Sequence, residues 1–416
     1  MPRRCATFPR SGKTPSSHSP NGVPGKTGTI VSTSHPLEGI TVLEIGHTVA
    51  APYAGMILAE LGADVIKVES PNGGDYSRGM PPHRDGKSSV YQALNRGKKS
   101  ICVDLGDSLQ AETVRQLIID RIDVVLHNLK FGAMAKLGFG APELLALKPS
   151  LVYCNIGAFG AVGPMRNRPG YDPLVQAFGG LMSIMGEDGR PPVRVGVSIT
   201  DMAAGLWSVI GIQAACLERV RTGRGGVVDT SLVETALAWL TYHFSAYFVS
   251  GAVPRREGSG LAQIVPYQAF ATSDAYVMVA VGNDNLFRKF CAALERADLA
   301  GDPRFATNKE RCANRAELIP MLEAIFATAP ASEWLRRLGA QDVPCSPINT
   351  LDQVLEEPQT KALGIFQTSP DRKETLLGLP LSFDGVRPPF RRGAPELGAH
   401  TEEILREHLA DRSRTI

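Results

Sequence analysis

Ile40-Thr41-Val42-Leu43-Glu44-Ile45, then Ala50 to Leu61, then Gly62 and Ala63-Asp64-Val65-Ile66-Lys67-Val68 decide the fold of this 416-residue chain. The first run is apolar and β-branched and predicts a buried strand. Ala50 to Leu61 predicts a helix, and Gly62 supplies the stop. The third run returns as a strand. Two strands joined through a helix lie parallel, with a right-handed crossover.

Outward from there the alternation continues. Strands are expected at Ser100–Leu105, Asp123–Leu129, Leu151–Phe159 and Val227–Asp229, with a helix at Ser108–Asp120 and another running through Trp239 and Tyr247. Such alternation predicts an α/β fold built on a doubly wound open sheet. The pattern breaks near Gly251. Pro254, Gly258 and Gly260 mark a loose stretch, and a strand at Ala275–Val281, a helix at Asn285–Leu294 and a polar helical run at Arg304–Ala327 suggest a smaller α+β unit. The expected organisation is a tail over 1–36, a large domain over 37–250, a small domain with linkers over 251–345, and a segment over 346–416 that rejoins the large domain.

One carboxylate stands out. Asp201 follows the mostly apolar run Val193 to Thr200 and opens a helical pattern from Met202 to Arg221. An acid there meets unpaired backbone N–H groups and the positive end of the helix dipole, which favour its ionised form. An ionised carboxylate is a potential nucleophile; the plain alternative is a helix cap.

Composition excludes several classes. Hydrophobic residues make up 43 % and charged residues 21 %, as in ordinary globular proteins. A net charge of +2 argues against bulk nucleic-acid binding. The seven cysteines are scattered, with no C-x-x-C, which argues for a reducing compartment and against a disulfide framework or a zinc site. The best candidate for a membrane span, Met202 to Leu217, falls short of the roughly 20 apolar residues required. Its Ala204, Ser208, Gly211 and Ala215 form a small-residue stripe suited to close helix packing. No G-x-G-x-x-G follows the first strand, and no P-loop or G-x-S-x-G motif occurs. Gly157, Gly160 and Gly163 precede Pro164 and read as a loop. Residues 1–36 are basic, rich in Ser and Pro, and free of acids. They read as a disordered tail, with an organelle-targeting segment or an artefact of an upstream start codon as alternatives. The expected location is cytoplasmic, or mitochondrial if that segment is a targeting peptide.

Several blocks occur together and in order: Pro36 to Glu44, Leu61 to Glu69, Asn95-Arg96-Gly97-Lys98-Lys99-Ser100, Arg168-Pro169-Gly170-Tyr171-Asp172 with Gly179-Gly180, Thr200-Asp201, and Val265-Pro266-Tyr267-Gln268. Over residues 36 to 410 the chain resembles the class III CoA-transferases, the formyl-CoA transferase and carnitine CoA-transferase superfamily. The resemblance implies a Rossmann-like large domain, a small α+β domain and an interlocked homodimer. It implies Asp201 as the catalytic residue, no permanently bound cofactor or metal, and a CoA thioester as substrate. The implied route runs through an aspartyl anhydride and an aspartyl-CoA thioester.

The residues matching CoA contacts are Thr48, Val49, Ala50, Asn128, Lys136, Arg168 and Tyr171. Arg96, Lys98 and Lys99 are candidates for the CoA phosphates, with a solvated basic turn as the plain alternative. For Tyr171 the plain alternative is a buried aromatic with a satisfied hydroxyl. The formyl-CoA branch carries Gln where Val49 stands, which argues against formyl or oxalyl chemistry. Gly258 to Phe270 looks most like the succinyl-CoA:glutarate branch, so a short dicarboxylate acceptor is expected. Arg78, Arg194 and Arg255 are candidates for its distal carboxylate. Gly258 and Gly260 resemble the family's mobile glycine loop. Two rival functions are an α-methylacyl-CoA racemase, which carries His where Tyr171 stands, and a non-catalytic CoA-binding protein. No membrane or nucleic-acid partner is expected.

Overall fold

The computed structural model describes residues 35–369 and 374–415. The reading of residues 1–36 therefore lies, His35 and Pro36 aside, outside the described residues. The predicted strand–helix–strand unit is present as β1 (Thr41–Ile45), α1 (Ala50–Glu60) and β2 (Asp64–Glu69). It is followed by β3 (Lys99–Cys102), α2 (Ser108–Arg121), β4 (Val124–His127), β5 (Val152–Gly157), α3 (Asp172–Phe178), α4 (Ile199–Thr222), β6 (Gly226–Ser231), α5 (Leu232–Trp239) and α6 (Thr241–Ser250). The six strands form one parallel sheet in the order β3-β2-β1-β4-β5-β6. The central strands are apolar on both faces because both are covered. Val42, Val65, Val124 and Val152 belong to the core on the α1 and α4 side, while Leu43, Ile66, Val125 and Tyr153 belong to the core beneath α2.

Helix α4 departs from expectation in an informative way. It starts at Ile199, two residues before Asp201, and runs for 24 residues. By length and composition alone it could cross a membrane, where Met202 to Leu217 had fallen short. Here its small-residue stripe packs inward: Ala204 and Ser208 are fully buried, and a Cβ on Gly211 would lie 2.5 Å from Val228 of β6. Ser198, at the cap position, offers no side-chain bond.

The smaller unit comprises β7 (Tyr267–Ala271), β8 (Tyr276–Ala280), α7 (Asp284–Ala293), α8 (Arg315–Phe326), α9 (Ala331–Ala340) and β9 (Cys345–Pro347). Its antiparallel sheet runs β9-β8-β7. The core is aromatic: Phe270 stacks on Phe326 at 4.6 Å, and Trp334 lies 5.0 Å from Phe326. Buried Arg311 ties it to the preceding loop, donating to the carbonyls of Val265 and Phe305 and to Asp284. Near the C-terminus the chain lies along the edge strand β3, where His400 N–H donates to Ser100 O and Ser100 N–H donates to His400 Nδ1.

Candidate functional site

Strand order and direction locate the site. β1 leads through α1 to one side of the sheet, whereas β4 leads to β5 and β6 on the other. The crevice at the carboxyl ends of β1 and β4 is thus the topological switch point, where open α/β sheets bind ligands. A cavity of about 220 Å³ lies there. Its walls include Thr48, Val49 and Ala50 after β1, Asn128 and Lys130 after β4, Arg168 and Tyr171 before α3, and Asp201 of α4. Seven of the eleven expected site residues are brought together from separate segments.

Asp201 is the third residue of α4, not its cap. The capping is done from a distance. Asp172, at the start of α3, accepts the Thr200 backbone N–H at 2.8 Å and the Thr200 hydroxyl at 2.7 Å. Gln176 steadies it, donating to Asp172 Oδ2 at 2.6 Å. One helical turn beyond Asp201 stands Gly205. A Cβ there would lie 2.8 Å from Ala50 O and 3.1 Å from Tyr53, so only glycine lets α4 approach α1 this closely. The contact sets the start of α1 beside Asp201. Val49 offers α1 no side-chain cap, and the first N–H groups of a helix have no acceptor within it. They are donors available to an oxyanion.

The ionisation of Asp201 also differs from the sequence reading. Burial, and next the charge of Asp172, push its carboxyl up to about 7. Desolvation outweighs the favourable helix end. A carboxylate of such basicity is a stronger nucleophile than an ordinary Asp and is still partly ionised at neutral pH.

Two residues that shape the reacting end of the cavity carried no recognised signal. His47 lines the cavity, and its backbone is held at both ends by Asn128, whose Oδ1 accepts His47 N–H and whose Nδ2 donates to His47 O, both at 3.0 Å. The Asn128 amide is thereby committed to shaping the loop. Burial holds the His47 imidazole below its ordinary pKa, and its ring lies 4.9 Å from Tyr76. Gly205 is the other, hidden in sequence inside an apolar helix.

Four expected residues stand apart from the cavity. Lys98 is fully buried, paired with Glu44 at 2.7 Å and donating to Pro52 O and Asn95. Arg96 is buried against Glu60 at 3.5 Å and donates to the carbonyls of Ala93 and Leu377. The basic turn expected to meet CoA phosphates is in these two residues an internal ion-pair network, because the carboxylates of β1 and α1 lie beneath it. Lys99 pairs with Asp64 at 3.0 Å. Lys136 is exposed at the end of a short helix, Ala133–Lys136, outside the cavity wall. Lys130 and Arg166, which line the cavity, are the cations that sequence reading passed over.

The model of CoA-transferase family III matches residues 37–401. The chain belongs to CoA-transferase family III. This CoA-transferase is 36% identical over 388 residues to a succinate–glutarate CoA-transferase of Agrobacterium fabrum, covering 89% of this chain and 95% of that one. It is 34% identical over 385 residues to the human succinyl-CoA:glutarate CoA-transferase, covering 92% and 88%. Among solved structures, a CaiB/BaiF family protein from Brucella suis superposes with a TM-score of 0.81 at 38% identity, covering 90% of this chain and 100% of that one.

Proposed function

We propose that this transferase moves CoA from succinyl-CoA to a short dicarboxylic acid, with Asp201 as the nucleophile. The observation that carries the reading is a carboxylate of near-neutral pKa beside the uncapped start of α1, in the switch-point cavity. Asp201 attacks the thioester carbonyl, the C–S bond breaks, and CoA thiolate leaves a mixed anhydride. The thiolate then attacks the aspartyl carbonyl and expels succinate, which leaves CoA on Asp201 as a thioester. The acceptor carboxylate displaces that thiolate to form a second anhydride. Thiolate attack on the acceptor's carbonyl releases the new acyl-CoA and restores Asp201. Every step exchanges carboxylate for thiolate, so the route needs no resident cofactor.

The dicarboxylate reading is supported by the relatives named for succinate–glutarate and succinyl-CoA:glutarate transfer. Of the three arginines considered for the distal carboxylate, Arg78 is already engaged. It grips Glu69 through two bonds of 2.9 and 2.7 Å. Arg194 donates to the carbonyls of Val195 and Gly196. Arg255 lines a second cavity of about 330 Å³ with His243, Gly258 and Gly260, apart from the one that holds Asp201, and we propose it as the remaining candidate for the distal carboxylate.

We infer a homodimer interlocked around this site, on a Rossmann-like large domain. The strand order supports the domain reading. The dimer reading is supported by α6, an apolar helix with no buried residue that exposes Phe248, and by the exposed apolar side chains Trp207 and Ile210 of α4 and Trp239 of α5. A monomer has no use for such a patch. Tyr171, in place of an imidazole, argues against racemase chemistry, since a phenol is a weak proton carrier near neutral pH.

The test is to mix the protein with succinyl-CoA, quench with hydroxylamine and map the adduct by mass spectrometry. A hydroxamate at Asp201, absent in Asp201→Asn, is the expected result. A folded Asp201→Asn protein with undiminished transfer contradicts the assignment.

A further inference from the structure

Under the loop that carries Thr48, Val49 and Ala50 lie four buried charged side chains from four separate segments: Glu44 of β1, Lys67 of β2, Asp75 and Lys98. They alternate in sign. Lys98 meets Glu44 at 2.7 Å, Glu44 meets Lys67 at 2.7 Å, and Lys67 meets Asp75 at 2.9 Å. Such a set is a poor source of stability, because apolar side chains of similar volume would serve as well or better. Its distinguishing feature is where its remaining bonds go.

Three of the four reach up to the loop or to the first turn of α1 that follows it. Lys67 donates to Gly46 O at 2.9 Å, Asp75 Oδ1 accepts Thr48 N–H at 3.0 Å, and Lys98 donates to Pro52 O at 2.9 Å. The three anchors bracket Val49 and Ala50, the cavity-lining start of α1. Between the first and the third, Thr48 has φ +69°, a left-handed conformation that a β-branched residue disfavours. Strain of this kind persists only where the surroundings impose it. Room for the network is kept by Gly55 in α1, where a Cβ would lie 1.9 Å from Glu44 Oε2.

We propose that Lys67 and Asp75 are positioning residues for CoA transfer, holding Thr48 left-handed so that the Val49 and Ala50 N–H groups face the carbonyl reacting at Asp201. The proposal rests on Asp201 as the reacting carboxylate. Asp75 touches no substrate; it acts through the backbone of Thr48. Donors that are fixed beforehand stabilise charge as it develops and cost no rearrangement during the reaction. Misplacing them by an ångström lowers turnover about a hundredfold while leaving binding largely intact.

Asp75→Asn tests this. Its amide cannot accept from Thr48 N–H and from Lys67 at once, since one end carries only hydrogens. The expected result is kcat and kcat/KM both lower by about 30- to 100-fold, with the Kd of CoA changed less than about threefold. Adding Thr48→Gly, which adopts positive φ freely, should then return at least about a tenth of the lost turnover. Merely structural damage would not recover per folded molecule through that change. Where Asp75→Asn does not fold, Lys67→Gln carries the same test with the same expected outcome, because Lys98 still compensates Glu44 there. Asp201→Asn is measured in parallel. If it retains transfer, the underlying site assignment fails. If it is inactive while folded Asp75→Asn and Lys67→Gln keep wild-type kcat, or raise KM alone, or show no recovery with Thr48→Gly, the positioning role is overturned.

Discussion

Asp172 caps α4 through Thr200, accepting its backbone N–H at 2.8 Å and its hydroxyl at 2.7 Å. A side chain 28 residues upstream thus does the work usually done by the residue before the helix, and the next residue, Asp201, is left to face the cavity. The same carboxylate places a negative charge near Asp201, which adds to the effect of burial on the Asp201 pKa.

A pH profile follows. As the proposed nucleophile Asp201 would have to be ionised, and burial and Asp172 push its carboxyl up to about 7. The kcat/KM for succinyl-CoA should therefore rise through about pH 7. Asp172→Asn keeps an acceptor for Thr200 and removes the charge, so the midpoint should move to lower pH. The sign for stability is the reverse of that for activity. The folded state binds this proton more tightly than the unfolded chain, so this group's contribution to stability falls as pH rises from about 4 to about 7 and is flat above. Initial rates between pH 5.5 and 8.5 for both proteins, with denaturant midpoints at each pH, check both directions.

Gly205→Ala should be costly for its size. The added methyl group meets Ala50 O at 2.8 Å, a backbone atom that cannot swing aside. Overpacking of this kind costs about 1–3 kcal/mol, and the displaced start of α1 should lower kcat as well. Thermal midpoint and kcat, measured on one preparation, should fall together. An unchanged kcat would separate the helix contact from catalysis.

Acceptor specificity should favour diacids. If an arginine pairs with the distal carboxylate, a monoacid leaves that guanidinium without a partner, at a cost of roughly 1.5–3 kcal/mol. Glutarate should then exceed butyrate in kcat/KM by about ten- to a hundredfold or more with succinyl-CoA as donor at one pH. Arg255→Met should narrow that gap. Equal efficiency for the two acids would remove the dicarboxylate specificity and leave CoA transfer standing.

Protomer concentration should govern stability. If a second chain covers the apolar surface of α6, as proposed, the obligate dimer unfolds with a concentration-dependent midpoint. Sedimentation across a hundredfold dilution, paired with thermal midpoints, is the measurement. A stable, active monomer would exclude interlocking.

Much of this molecule was legible along the chain. The runs Ile40–Ile45 and Ala63–Val68 flank a helix that ends at Gly62, and that local pattern alone determines a parallel pair with a crossover. Hydrophobic period and glycine stops are properties of neighbouring residues, so they survive without coordinates. Asp201 was legible for a similar reason, as a carboxylate between an apolar run and a long helical one. Its ionisation was not. The helix end predicts an easily ionised acid, but burial and Asp172 reverse the balance, and both depend on residues that meet only in the folded chain. Arg96 and Lys98 show the same divide. Charged residues in a turn read as solvated because lone charges are seldom buried. Only the sheet brings Glu44 beneath Lys98, and only the packing of α1 brings Glu60 to Arg96. Gly205 was not singled out along the chain, and only the crossing of α4 on α1 gives it a function. What is encoded locally, by period and by stops, the sequence determined by itself. The values of charges and the reasons for close contacts were decided by the tertiary structure, because electrostatics and sterics depend on distance in space and not on distance along the chain.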